Sequence, residues 1–307
     1  MTTQQVKGKV AIITGNLFNL FQNCDSYIIF MTFLNLLRSL VNSGASSGIG
    51  HAIATRLVNE GGKVVIADVN EDAGEKIAKE FNANKSEIIA IFHKTDVSKW
   101  NELISLFDKT KQTFGQIDIV INNAAITDIE NGMLQDSLEE PTHFSKLIEI
   151  NLMGVIYGTK LAFQYLKQNN PQGGIIINTA SITAIHPVFT FGVYCATKSG
   201  VISLTRSMAQ VSELHNITIN AVCPSVTRTG MTAGAIGIPD HWWSSIDDVV
   251  EAYFKCIYNP KLNGAIFSVW NKEMREEKFE NPAPVIEEMI QGNYMLYLST
   301  LEKEKSN

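Results

Sequence analysis

Cysteine is scarce, with four residues in a chain of 307. Cys24, Cys195, Cys223 and Cys256 stand far apart, without the paired spacing of a metal or redox site. That argues against a disulfide framework and for a reducing compartment, so a cytoplasmic protein is expected. Clustered basic charge is missing too. Lys and Arg number 25 against 31 Asp and Glu, and no basic stripe marks a nucleic-acid partner. The six histidines are scattered, His186 and His215 among them, so no metal site is expected. The opening MTTQQVKGKV lacks the apolar core of a signal peptide. The charge-free stretch 26–37 is bounded by Asp25 and Arg38. It falls short of the roughly 20 residues that a membrane span needs, so no membrane association is expected. No repeat and no linker interrupts the chain.

What is present is alternation. Residues 10–14, 63–68 (KVVIAD), 88–94, 117–122, 174–179 (GIIINT), 218–222 and 264–270 read as strands. Residues 49–59, 71–81, 101–114, 143–169, 194–215 and 245–257 read as helices. The strands are short apolar runs, as strands covered on both faces should be. The pattern predicts an α/β fold, a doubly wound parallel sheet of Rossmann type with right-handed crossovers. One domain is expected over residues 6–270, followed by a charged tail at 271–307.

The first strand–helix turn is split. Residues 10–15 read VAIITG and residues 44–50 read GASSGIG. Joined, they give one strand, a glycine turn through Gly15, Gly48, Ile49 and Gly50, and a helix. Such glycines let the backbone approach a pyrophosphate at a helix N-terminus. Asp68 ends the second strand, where a carboxylate accepts from adenosine ribose hydroxyls and repels a 2′-phosphate. NAD is therefore expected over NADP. The alternative for Asp68 is a turn aspartate. Asp96-Val97 and Asn122-Asn123 end the next two strands, on the edge where open α/β sheets bind ligands, although Asx residues also serve plain turns.

The catalytic half has its own constellation. Tyr194 and Lys198 are four apart on one helix face. Ser181 follows the strand GIIINT, and Asn151 sits within an earlier helix. A lone Tyr-x-x-x-Lys means little; the combination is specific. Oxidising an alcohol needs a base for its proton while hydride leaves. Tyrosine, with an ordinary pKa of about 10, serves if a nearby Lys⁺ draws it toward working pH. Ser181 is expected to hold the substrate oxygen. Lys198 is expected also to hold the nicotinamide ribose, and Asn151 to help carry protons to solvent.

On these residues, the chain resembles the short-chain dehydrogenase/reductase family over about residues 6–270, apart from the segment 16–44. The segment CPSVTRT at 223–229 is part of that resemblance, which implies that Thr229 contacts the nicotinamide carboxamide. Ser225 stands where the family usually has glycine. The segments GGIIINTAS, PVFTFGVYCATKSGVISLTRS and LNGAIFSVW are similar to the NAD-dependent 15-hydroxyprostaglandin dehydrogenases. Insect-type alcohol dehydrogenases share the Asn-Gly-Ala-Ile ending. The prostaglandin enzymes have a glutamine three residues before the tyrosine; here that position is Phe191. The resemblance implies a secondary alcohol or ketone as small-molecule partner and, by analogy, a homodimer or homotetramer. Trp242-Trp243 either lines an apolar pocket or packs a lid.

Residues 16–43 hold five Asn, six Leu and four Phe but no Gly, Pro or Lys. That composition, and boundaries compatible with splice signals, make the segment readable as a translated intron. Two functions follow. One is an NAD-dependent secondary-alcohol dehydrogenase. The other is a catalytically inactive product whose cofactor loop the insertion disrupts.

Overall fold

The computed structural model describes residues 6–15, 48–127, 133, 138–229, 232, 238–280 and 282–306. The expected insertion 16–44, and Cys24 within it, lie outside these residues. An eight-stranded sheet forms the centre, in the order β3-β2-β1-β4-β5-β6-β7-β8. Its strands are β1 (Val10–Thr14), β2 (Lys63–Asp68), β3 (Ala90–Lys94), β4 (Ile119–Asn122), β5 (Gly174–Thr179), β6 (Ile217–Pro224), β7 (Ile266–Trp270) and β8 (Glu273–Glu276). All neighbours pair parallel except β7 with β8.

The helices are α1 (Gly48–Asn59), α2 (Glu71–Asn82), α3 (Trp100–Phe114), α4 (Thr142–Ile148), α5 (Gly154–Leu166), α6 (Gly192–Ser212), α7 (Ile246–Tyr258) and α8 (Pro284–Ser306). They cover both faces of the sheet, because strand side chains alternate. Ala11 and Ile13 join a core with Ile53 and Leu57 of α1 and Phe254 of α7. Ile12, between them, joins Leu106 and Phe107 of α3 and Leu161 of α5. Every residue of β1 is buried, as a central parallel strand requires. Local signals set the ends. Asn70 caps α2 by accepting from Ala73 N at 3.0 Å, and left-handed Gly115 closes α3.

β1 pairs with β2 on one side and with β4 on the other. The chain winds outward from β1 to β3 and then crosses to β4. The order therefore reverses between β1 and β4, and ligands bind at the carboxyl end of such a junction.

Two expectations are corrected. The single helix at 143–169 is two helices joined by a π turn, Glu149–Met153. And the sheet continues past residue 270, where the charged tail was expected to begin. Asn271 and Lys272, at φ 37° and 69°, make a two-residue reversal that returns β8 along β7. Beyond β8 the tail forms α8, in keeping with its reading as a helical rather than a partly disordered segment. Among the described residues, no helix is long and apolar enough to cross a membrane, and no cluster of His, Cys, Asp or Glu could hold a metal ion.

Candidate active site

The carboxyl ends of β1, β4 and β5 meet in a buried polar cluster. Thr14 Oγ1 accepts from Asn123 N at 3.1 Å. Thr179 Oγ1 reaches Asn123 Oδ1 at 3.3 Å and the Tyr253 hydroxyl of α7 at 2.7 Å. Below, Asn122 Nδ2 donates to Asn178 Oδ1 at 2.8 Å, and Asn178 Nδ2 donates to Thr205 of α6 at 3.0 Å. Gly158 of α5 makes room for this layer, since a Cβ there would lie 2.1 Å from Asn122 Oδ1. Satisfied networks of this kind fix strand ends in place.

On the nucleotide side, Gly15 follows β1 and donates its N–H to Ala67 O at 2.7 Å. Gly48, Ile49 and Gly50 form the first turn of α1, and Gly48 takes φ 55°, a conformation that favours glycine. The first turn of a helix leaves backbone N–H groups without intrahelical partners. Asp68 is fully buried at the end of β2, and its Oδ1 accepts from Asn70 N at 3.0 Å. Asp96 is turned inward on its own loop, accepting from Ser98 N at 2.9 Å and Ser98 Oγ at 2.7 Å. Val97 is buried against Gly154, where a Cβ would come within 2.8 Å of it.

The catalytic side chains come from β5 and α6. Ser181 stands just past β5 at the head of a short 3-10 turn, Ile182–Ala184. Tyr194 and Lys198 lie on the first turns of α6, and Ser181 is hydrogen-bonded to Tyr194. Lys198 is buried, donates to Thr179 O at 2.8 Å and lies 5.7 Å from the centre of the Tyr194 ring. Cys223 of β6 is close enough to both to interact with them electrostatically.

The ionisation differs from the expectation that Lys198 would draw the tyrosine down. Tyr194 is half-buried by surface, yet the protein packed around its phenol pushes its pKa up to about 12, against a downward pull from Ser181. Burial likewise lowers Lys198 to about 8. Burial is the largest cause of both shifts. Cys223 is raised to about 12 by the same burial.

Asn151 lies in the π turn and is fully buried. Its Nδ2 donates to Ile126 O at 2.7 Å and its Oδ1 accepts from Ile126 N at 2.8 Å. It therefore clamps the loop that follows β4. The turn packs on α6, where Leu152 lies against Gly200. π turns often mark functional sites.

The loop after β6 carries Thr229, whose N–H donates to Thr232 Oγ1 at 2.9 Å. Ser225, in place of glycine, adds a tie: its hydroxyl bonds Ser244 Oγ at 2.8 Å. Arg228 pairs with Asp240 at 3.0 Å and lies 4.4 Å over the Trp243 ring. Trp243 Nε1 also donates to Ile238 O at 3.3 Å, while Trp242 is 48% exposed. Of the two tryptophans, Trp242 is the more exposed. Phe191 meets the Tyr194 ring edge-to-face at 6.4 Å.

The structure thus unites Ser181, Tyr194 and Lys198, and places Asn123, Asp68, Gly15 and Gly48 along the carboxyl edge beside them. Thr14, Thr179, Tyr253 and Thr183 belong to the same site and were not singled out from sequence. Threonines and a helical tyrosine carry no spacing signal of their own.

A doubly wound sheet with a Ser–Tyr–Lys set at its carboxyl edge defines an oxidoreductase of the dinucleotide-binding type. Residues 40–236 match the short chain dehydrogenase family, and the chain belongs to that family. It is 35% identical over 247 residues to the 15-hydroxyprostaglandin dehydrogenase [NAD(+)] of Homo sapiens, covering 74% of this chain and 88% of that one. It is 32% identical over 249 residues to the diacetyl reductase [(S)-acetoin forming] of Staphylococcus epidermidis, covering 81% and 88%. Among solved structures, the 3-ketoacyl-(acyl-carrier-protein) reductase of Brucella melitensis, complexed with NADH, superposes with a TM-score of 0.69. Its identity is 26%, over 87% of this chain and 98% of that one.

Proposed function

We propose that this chain is an NAD-dependent oxidoreductase that interconverts a secondary alcohol and a ketone on an apolar hydroxy substrate. The observation that carries the reading is the hydrogen-bonded Ser181–Tyr194 pair with the buried Lys198 ammonium beside it. The residues also fit the cofactor. Left-handed Gly48 opens α1, Asp68 offers a carboxylate at the end of β2, Asn123 follows β4, and Thr229 lies past the end of β6.

Ser181 donates to the substrate oxygen, and Tyr194 exchanges a proton with the same oxygen. With a value near 12, Tyr194 holds its proton at neutral pH and is ready to protonate the oxygen of a ketone undergoing reduction. In the oxidising direction it must first lose that proton. NAD, when bound, would supply the hydride acceptor. Lys198 would hold the ribose, and it keeps its charge below about pH 8. Asn151 fixes the chain around Ile126 and opens a proton route to solvent.

Phe191 and the exposed Phe189, Val188 and Trp242 support an apolar substrate. A 15-hydroxyprostaglandin-like compound is one such substrate. The functional domain runs from residue 6 through β8, without 16–44, and it assembles as a homodimer or homotetramer. The split glycine turn supports a second reading, in which the full-length chain is inactive.

A panel of secondary alcohols with NAD tests the assignment. Tyr194→Phe is expected to cut turnover about 100-fold while NADH still binds. Retention of most of the activity would point to another acid–base group. The full-length chain is expected to bind NAD at least about tenfold more weakly than the form lacking residues 16–44. Equal affinity would discard the intron reading.

A further inference from the structure

Ser181 needs its proton for the substrate oxygen, because a carbonyl or an alkoxide can only accept. A serine hydroxyl has one proton to give and two lone pairs with which to receive. Both lone pairs are filled here by one residue. Thr183 N donates to Ser181 Oγ at 3.2 Å, and Thr183 Oγ1 donates to the same atom at 3.0 Å. What remains to Ser181 is donation, and its partner is Tyr194. We propose that Thr183 is a positioning residue for the reaction: it saturates the acceptor sites of Ser181 and makes that hydroxyl an obligate donor toward the substrate oxygen.

The two bonds do different things. The backbone bond closes the 3-10 turn at Ser181 by itself, as a serine cap does. The hydroxyl bond adds nothing to that closure. Without it, Ser181 has a free lone pair and can accept from Tyr194. The tyrosine proton would then point at the serine rather than at the substrate, and the reacting oxygen would lose Tyr194 as a donor. Thr183 is half-buried, so exchanging its hydroxyl for a methyl leaves the core intact.

This inference rests on the roles proposed for Ser181 and Tyr194, and the test separates the two. In the full-length chain, Thr183→Val keeps the shape and the N–H and removes the hydroxyl. It is expected to lower kcat about tenfold with the KM for NAD unchanged, and Thr183→Ser is expected to restore most of the rate. Added to Ser181→Ala, Thr183→Val is expected to cost nothing further, since it acts through that serine. Full turnover in Thr183→Val, an additive loss in the double variant, or failure of serine to rescue would each overturn the inference. Full turnover in Ser181→Ala and in Tyr194→Phe would instead overturn the roles themselves. A second measurement needs no turnover. With ¹³Cζ-labelled tyrosine and Tyr194 assigned through Tyr194→Phe, the Tyr194 signal is expected to move downfield in Thr183→Val and to stay in place in Thr183→Ser. An unmoved signal in Thr183→Val refutes the inference on its own.

Discussion

Asp68 shows what a single residue decides. It is wholly buried at the end of β2, with one oxygen held by Asn70 N. Asp68→Ala removes both the acceptor for a ribose and the repulsion of a 2′-phosphate. The preference for NAD over NADP is expected to fall at least tenfold, about 1.4 kcal/mol, in paired kcat/KM measurements. A wild-type preference for NADP would show the assignment to be mistaken. Phe191 is the corresponding residue on the substrate side. Phe191→Gln is expected to improve prostaglandin-like substrates relative to simple secondary alcohols, and an unchanged ratio would remove Phe191 from the pocket. Residues of this kind were legible in the sequence because their chemistry is tied to spacing: Tyr194 and Lys198 one turn apart, Ser181 past a strand. Their ionisation was not. Burial raises Tyr194 and lowers Lys198, and burial depends on what packs around them, which no spacing records.

At the scale of elements, most strands and helices follow from apolar runs and period alone. The misses are turns. Asn151 was legible as a residue, but the π turn around it exists because its side chain finds Ile126, 25 positions earlier. The β7–β8 hairpin was missed because its two-residue turn is Asn-Lys rather than Asn-Gly. Lys272 holds φ 69°, a left-handed conformation that costs a residue with a Cβ about 1 kcal/mol. Lys272→Gly is therefore expected to raise stability by up to about 1 kcal/mol in urea unfolding, net of the added backbone entropy. A loss of stability would mean that the lysine side chain has a compensating contact.

The whole molecule titrates through its interior. Cys256 is buried, and its thiol is raised from 9.0 to about 12, burial being the largest cause. The unfolded chain gives up that proton first. Stability is therefore lost as pH rises above about 9, by about 1.4 kcal/mol per pH unit for the thiol. Lys198 acts in the opposite sense, its contribution rising with pH between about 8 and its ordinary 10.5. Cys256→Ala is expected to flatten the alkaline decline by about 1.4 kcal/mol per pH unit between pH 10 and 11, measured by urea unfolding. An unchanged slope would show that the thiol is not protected from ionisation.

The place of β1 in the sheet has a consequence for synthesis. This strand leaves the ribosome before the other strands of its sheet, yet one of its two neighbours is β4, and Val10 bonds Asp118 across 108 positions. At about 5–20 residues per second, several seconds separate the two. Throughout that interval an apolar strand has one edge open to any other chain. Slow translation before residue 122 would lengthen the exposure, and a chaperone that covers short apolar strands would shorten its cost. The yield of this protein in a cell is thus set partly by the order in which its sheet is spoken, apart from how stable the finished sheet is.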